Sequence, residues 1–153
     1  MILVHLIIGI ILGKLTGNYF PFILGSILPD LDHLYIIIKN KLFTINKIIN
    51  TIKYEERYNI KYKTPFFHSI FGLIIFSLIF YFISNNYILT IYFASAYLLH
   101  LAIDWLDIDK KYFLYPLKME FKGFLPIWSK TEKIITLILI IILTLLFIVS
   151  QTL

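Results

Sequence analysis

The chain has 153 residues, 59% of them hydrophobic and 18% aromatic, with a mean hydropathy of +0.85. Soluble proteins hold about 45 to 50% apolar residues even with glycine counted, so the solvent expected around much of this chain is a lipid bilayer. It has no cysteine, which excludes disulfides and thiolate metal sites. The formal net charge of +5 raises nucleic acid as a partner, a reading that the distribution of the charge removes.

In chain order, five apolar segments stand out. Residues 1–13 (MILVHLIIGIILG) and 19–29 (YFPFILGSILP) are short and are expected to be buried among the others or tilted. Residues 66–84, 87–103 and 134–150 approach the roughly 20 residues that cross a bilayer. The first segment lacks the basic start and small-residue cleavage site of a secretory signal, so it is expected to be retained. Two polar stretches, 39–65 and 107–133, and two short turns, KLTGN and SNN, separate the segments. In the first stretch Leu42, Ile45, Ile48, Ile49 and Ile52 recur at helical spacing with lysines between them, the pattern of an amphipathic helix on a membrane surface. The second, with YFLYPLKMEFKGFLPIW, mixes aromatics, prolines and lysines as an interfacial loop does; Asp107 and Asp109 at its start are expected to be solvated. The predicted fold is all-α: a polytopic membrane bundle of about five apolar helices plus an interfacial amphipathic helix, forming a single domain over 1–153.

The charges suggest an orientation. Lys39, Lys41, Lys47, Lys53, Arg57, Lys61 and Lys63 fall in the first polar stretch and six lysines in 110–133; only Lys14 lies elsewhere. If the segments alternate direction, both basic stretches share one side, and the positive-inside rule makes that side cytoplasmic. The basic balance is then topological, and no nucleic-acid partner is expected.

The four histidines, His5, His33, His68 and His100, all lie within or beside apolar segments, with Asp30, Asp32 and Asp104 close by. Under the same alternation His5 begins segment one, Asp30 to His33 end segment two, His68 begins segment three, and His100 and Asp104 end segment four. All four groups are thereby placed in one layer, facing the cytoplasm. Their helical neighbours are small: Gly9, Gly13 and Gly17 follow His5, Gly72 follows His68, and Ala96 precedes His100. Small residues at such spacing let membrane helices approach closely, so the histidines are expected to point into the bundle.

An ionised carboxylate at the membrane centre costs about 2.5 to 3.5 kcal/mol on insertion scales, and intramembrane charges normally pair inward. No lysine or arginine lies inside the neighbouring apolar runs, which leaves protonation, histidinium or a bound cation to compensate. Histidine with carboxylate suits a divalent transition metal, zinc foremost, with manganese or iron as alternatives. His100 and Asp104, four residues apart, could supply two ligands from one helix face, with His68 and Asp30 completing the shell. Each residue also has a plainer reading. Asp30 could cap a helix starting at Leu31, His5 could be a packed or interfacial histidine, His68 could bond backbone at a helix start, and His100 with Asp104 could be a local hydrogen-bonded pair.

The stretches GSILPDLDH (25–33), TPFFHSIFG (64–72) and HLAIDWLD with the later FLYP (100–116) resemble the successive motifs of the membrane-bound metal-dependent hydrolases, also described as LexA-binding inner-membrane-associated hydrolases. The likeness runs from residue 1 to about 117. Two departures stand out: KYKTPFF replaces the basic, glycine-containing stretch that commonly precedes the Thr-His-Ser motif, and Trp105 stands where a threonine often follows the last aspartate. More distantly, the chain is similar to zinc-dependent phospholipase C and P1-type nucleases. That likeness implies one zinc on Asp30, His68, His100 and Asp104, and a second on Met1, His5 and Asp104, hence one or two ions.

The implied activity is metal-assisted hydrolysis, with Asp30 or Asp32 orienting or deprotonating the attacking water. His33 could be an outer ligand, a phosphate contact or a surface residue. A site beside a lysine-rich surface helix suits a phosphoester or ester of an anionic lipid or lipid-linked substrate, in a prokaryotic cell membrane. The alternatives are a non-enzymatic membrane protein with a structural or transported metal, and a regulatory membrane adaptor.

Overall fold

A computed structural model describes residues 2–53, 58, 60, 63–126 and 129–152. Helix α1 (Ile2–Thr16) ends at Gly17 and is followed by α2 (Tyr19–Ile27), a 3-10 turn (Leu28–Asp30) and α3 (Leu31–Lys39). The second apolar segment therefore runs past 29 to form a span of 21 residues, Tyr19–Lys39. Pro29 does not stop it, because it occupies the opening of the 3-10 turn, where a missing N–H leaves no helical bond unmade. Helix α4 is Ile45–Lys53. The third segment is shorter than expected: α5 covers only Ile70–Ser84. Pro65 lacks a donor, and Ser69, in extended conformation, caps the helix by accepting the Gly72 N–H at 3.1 Å.

The SNN turn has a division of labour. Asn85 closes α5 in the left-handed region at φ 47°, and Asn86 opens α6 (Tyr87–Asp104) by accepting the N–H groups of Ile88 and Leu89 at 3.0 and 3.2 Å. Helix α7 (Lys130–Thr152) ends the chain. The interfacial loop before it contains two short antiparallel strands, β1 (Lys110–Lys111) and β2 (Phe121–Lys122), with Lys110 opposite Lys122 and Lys111 opposite Phe121.

Helix α2 lies between α1 and α6, α6 packs on α5, and α7 packs on the outer side of α1 with none of its described residues buried. Three stretches are long and apolar enough to cross a membrane: Tyr19–Lys39, Tyr87–Asp104 and Lys130–Ser150. The protein is thus an all-α helical membrane bundle. Gly25 shows how closely its helices approach: a Cβ there would meet the Phe93 carbonyl of α6 and lie 3.1 Å from the Ala96 methyl. The core joins α5 to α6 through Phe80, Phe93, Tyr97 and Leu101, with the Phe80 and Phe93 rings stacked at 4.7 Å. Tyr97 is fully buried, and its hydroxyl donates to the Phe67 carbonyl at 2.5 Å, tying the segment before α5 to α6.

The amphipathic stripe divides. Leu42 is buried with Ile36, and Ile48 packs against them, whereas Phe43, Ile45 and Ile49 remain exposed. Half of the stripe therefore faces protein; the side chains of Ile52 and Lys53, and residues Arg57 and Lys61, lie outside the described residues.

Candidate metal centre

The alternation of α1, α2 with its 3-10 turn, α5 and α6 brings their histidines and aspartates to one end of the bundle. His5 sits in the first turn of α1, Asp30 closes the 3-10 turn, His68 lies just before α5, and His100 and Asp104 occupy the last turns of α6. His5, His68, His100 and Asp104 are each 1% exposed, and Asp30 is 7% exposed. These five converge, as do Asp32 and His33 around them.

The inner atoms form a cage. His68 Nε2 and His100 Nε2 lie 3.4 and 3.6 Å from Asp104 Oδ2, and 3.8 and 3.7 Å from Asp30 Oδ1. Those separations exceed the 2.7–3.2 Å of N–H···O hydrogen bonds, and neither Nε2 has a hydrogen-bond partner. Donors held at 2.0–2.1 Å from a tetrahedral zinc stand roughly 3.3 Å apart; the ligand atoms of His68, His100 and Asp104 lie within 4.8 Å of one another, as do those of His5, Asp30 and His100, so each trio could close on such an ion by contraction. A buried polar atom without a partner costs about 1–3 kcal/mol; a cation at the centre would satisfy several at once.

The outer atoms fix the rings. His100 Nδ1 donates to the Ser26 carbonyl at 2.7 Å, and His68 Nδ1 lies 3.1 Å from Asp32 Oδ2. A carbonyl can only accept, so His100 Nδ1 carries the proton and its Nε2 is free to turn a lone pair inward, as a metal ligand must; the Asp32 carboxylate behind His68 would favour the same tautomer once a metal was bound. Asp30 and Asp32, paired in the sequence reading, are thereby separated. Asp30 faces the cage and makes no side-chain cap bond to α3. Asp32 stands behind it, its Oδ2 also accepting the Thr64 N–H at 2.6 Å and its Oδ1 lying 2.8 Å from His33 Nδ1. His33 points its Nε2 at Asp30 Oδ1, 3.3 Å away, and is the more open member, its side chain 18% exposed. His5 stacks on His100 with ring centroids 3.7 Å apart and brings Nε2 within 3.2 Å of Asp104 Oδ1. It also forms a second possible ligand group with Asp30 and His100. Met1, a ligand implied by the distant resemblance, lies outside the described residues.

Two features correct the sequence reading. Lys63, from the polar stretch, reaches into the site: its Nζ lies 2.9 Å from Asp104 Oδ2 and 2.8 Å from Asp107 Oδ2. Compensation of Asp104 is therefore not left to histidinium or a bound cation alone. Asp107, expected in water, is 1% exposed, because the loop folds back on it: Asp107 bridges Leu125, and its carbonyl accepts the Gly123 N–H at 3.0 Å. Asp109 is also drawn in, its side chain 17% exposed and 4.0 Å from Lys63 Nζ. Burial alone would lower the Lys63 pKa, but Asp104 and Asp107 outweigh it and hold the ammonium above the ordinary lysine value. The sequence signal for Lys63 was its position one residue before the Thr-Pro-Phe-Phe-His motif.

The imidazoles and carboxylates gathered at this end of the bundle are donors that a divalent cation could take. No curated protein and no solved structure matches the chain. The model of the YdjM inner membrane protein family matches residues 1–153, and the chain belongs to that family of inner membrane proteins.

Proposed function

We propose that this chain is an integral membrane metal-dependent hydrolase that uses zinc to cleave a phosphoester or ester bond of a lipid or lipid-linked substrate at the cytoplasmic face. The observation that carries the reading is the cage of Asp30, His68, His100 and Asp104, with both inward nitrogens lacking hydrogen-bond partners and both rings oriented from behind. A bound divalent cation lowers the pKa of water toward neutrality and stabilises charge developing on a phosphoryl or acyl oxygen. Asp30, 3.3 Å from the more open His33, would orient or deprotonate the attacking water, and Asp32, against His68 and His33, would hold those rings in position. A lipid substrate is supported by the exposed Leu34, Ile38, Phe43 and Ile45 beside Lys39, Lys41 and Lys47, an apolar and basic surface suited to anionic headgroups. The lysine-rich stretches favour the cytoplasmic side.

The test is metal content and hydrolysis together. Purified wild type should retain zinc and His68→Ala should lose it. Hydrolysis of phosphodiester and carboxylic-ester lipids should vanish in His100→Ala and Asp104→Ala protein that keeps its helical circular dichroism. Unchanged activity in those variants would end the hydrolase reading.

A second reading rests on the donor count. Four protein donors drawn from three segments would close a tetrahedral shell, as structural zinc sites do, whereas catalytic sites keep a position open. It predicts retained metal without hydrolysis, and a cobalt-substituted spectrum that added phosphate leaves unchanged.

A further inference from the structure

We propose that the centre takes a single divalent cation because Lys63 occupies the place of a second. The inference rests on the metal reading above and concerns what lies on the far side of Asp104. Two-metal sites place their cations about 3.5–4 Å apart and share ligands between them. Here Asp104 faces the cage, while the same Oδ2, with Asp107 Oδ2 and Asp109 Oδ2, surrounds Lys63 Nζ at 2.9, 2.8 and 4.0 Å. Three carboxylates from one short segment would suit a second divalent ion, and an ammonium stands among them instead.

The carboxylates around Lys63 match its charge, and a second divalent ion there would have to displace the ammonium they hold. Lys111 secures the arrangement by donating to the carbonyls of Asp107 and Asp109 at 2.5 and 3.1 Å, which fixes the loop that presents Asp107 to Lys63. His5 Nε2 lies 3.2 Å from the other oxygen of Asp104, Oδ1.

The experiment titrates metal-free, detergent-purified full-length protein with Zn²⁺ against a chromophoric chelator and reads ions bound per chain. Wild type and Lys63→Arg should bind one. Lys63→Gln should bind a second, weaker ion. A wild type that binds two, or a folded Lys63→Gln that binds only one, overturns the role of Lys63 and leaves the cage standing. A wild type that binds none overturns the cage itself. Should Lys63→Gln fail to fold, Mn²⁺-loaded wild type decides: the electron paramagnetic resonance of isolated ions is expected, and an exchange-coupled pair overturns the proposal.

Discussion

Asp32 stands behind His68, its Oδ2 3.1 Å from the ring's Nδ1, while Asp30, two residues earlier, turns its Oδ1 to the ring's other nitrogen at 3.8 Å. One histidine is thus held between a supporting carboxylate and a cage carboxylate. Outer partners of this kind orient the ligand and raise its basicity, and losing one typically lowers metal affinity about 10- to 100-fold. Asp32→Asn keeps an acceptor for Thr64 but loses the charge behind His68. It should weaken zinc binding by about that factor and still bind one ion at saturation. Asp30→Asn removes a charged donor from the cage and should weaken binding further. Competition titration of the two variants checks the order; equal losses would mean that the two carboxylates are not differently employed.

The convergence of these groups was legible because it depended on two regular features: apolar runs that alternate in direction, and small residues four positions from the histidines. The different fates of Asp30 and Asp32 were not, since they arise where a 3-10 turn passes into α3 and neighbouring side chains diverge by local geometry. Lys63 was hidden for another reason. Its partner Asp107 lies 44 positions away in a polar stretch, and no periodicity links a lysine and an aspartate that meet only after a loop folds back. The reach of the second span to Lys39 was obscured by Pro29, which opens a turn here and does not end a helix. Strands of two residues are too short to show alternation at all.

Gly25 connects packing to the site. A methyl there meets the Phe93 carbonyl and lies 3.1 Å from the Ala96 methyl, so α2 and α6 must separate. Those helices carry Ser26 and His100, whose 2.7 Å hydrogen bond sets the ring. Overpacking of this kind costs about 1–3 kcal/mol. Gly25→Ala should therefore lower both the thermal midpoint and zinc affinity. Gly17→Ala is the control: it meets nothing within 4 Å, but its φ of +74° makes a side chain strained, at about 1–2 kcal/mol. It should lose stability and keep its zinc affinity. Matching zinc affinities in the two variants would show that the site does not feel the α2–α6 spacing.

Lys111 sets a pH dependence that can be isolated. Its side chain is 1% exposed, and burial, reinforced by the charge of Lys63 and opposed by Asp107 and Asp104, lowers its pKa from 10.5 to about 8. Between those values the unfolded chain holds a proton that the folded chain has released, so stability rises with pH across that window. Below about 8 the lysine is charged in both states and its full desolvation cost is present. Lys63, with its pKa displaced upward, opposes this slope only as the pH nears 10.5, where the unfolded chain begins to lose a proton that the folded chain keeps, and it does so in wild type and Lys111→Met alike. Thermal unfolding in detergent, followed from below pH 8 to pH 10.5, should therefore show a steeper rise in midpoint for wild type than for Lys111→Met. Loss of the bonds to the Asp107 and Asp109 carbonyls lowers the variant's curve throughout, but does not tilt it. Parallel curves would mean that water reaches the ammonium and that its pKa is not depressed.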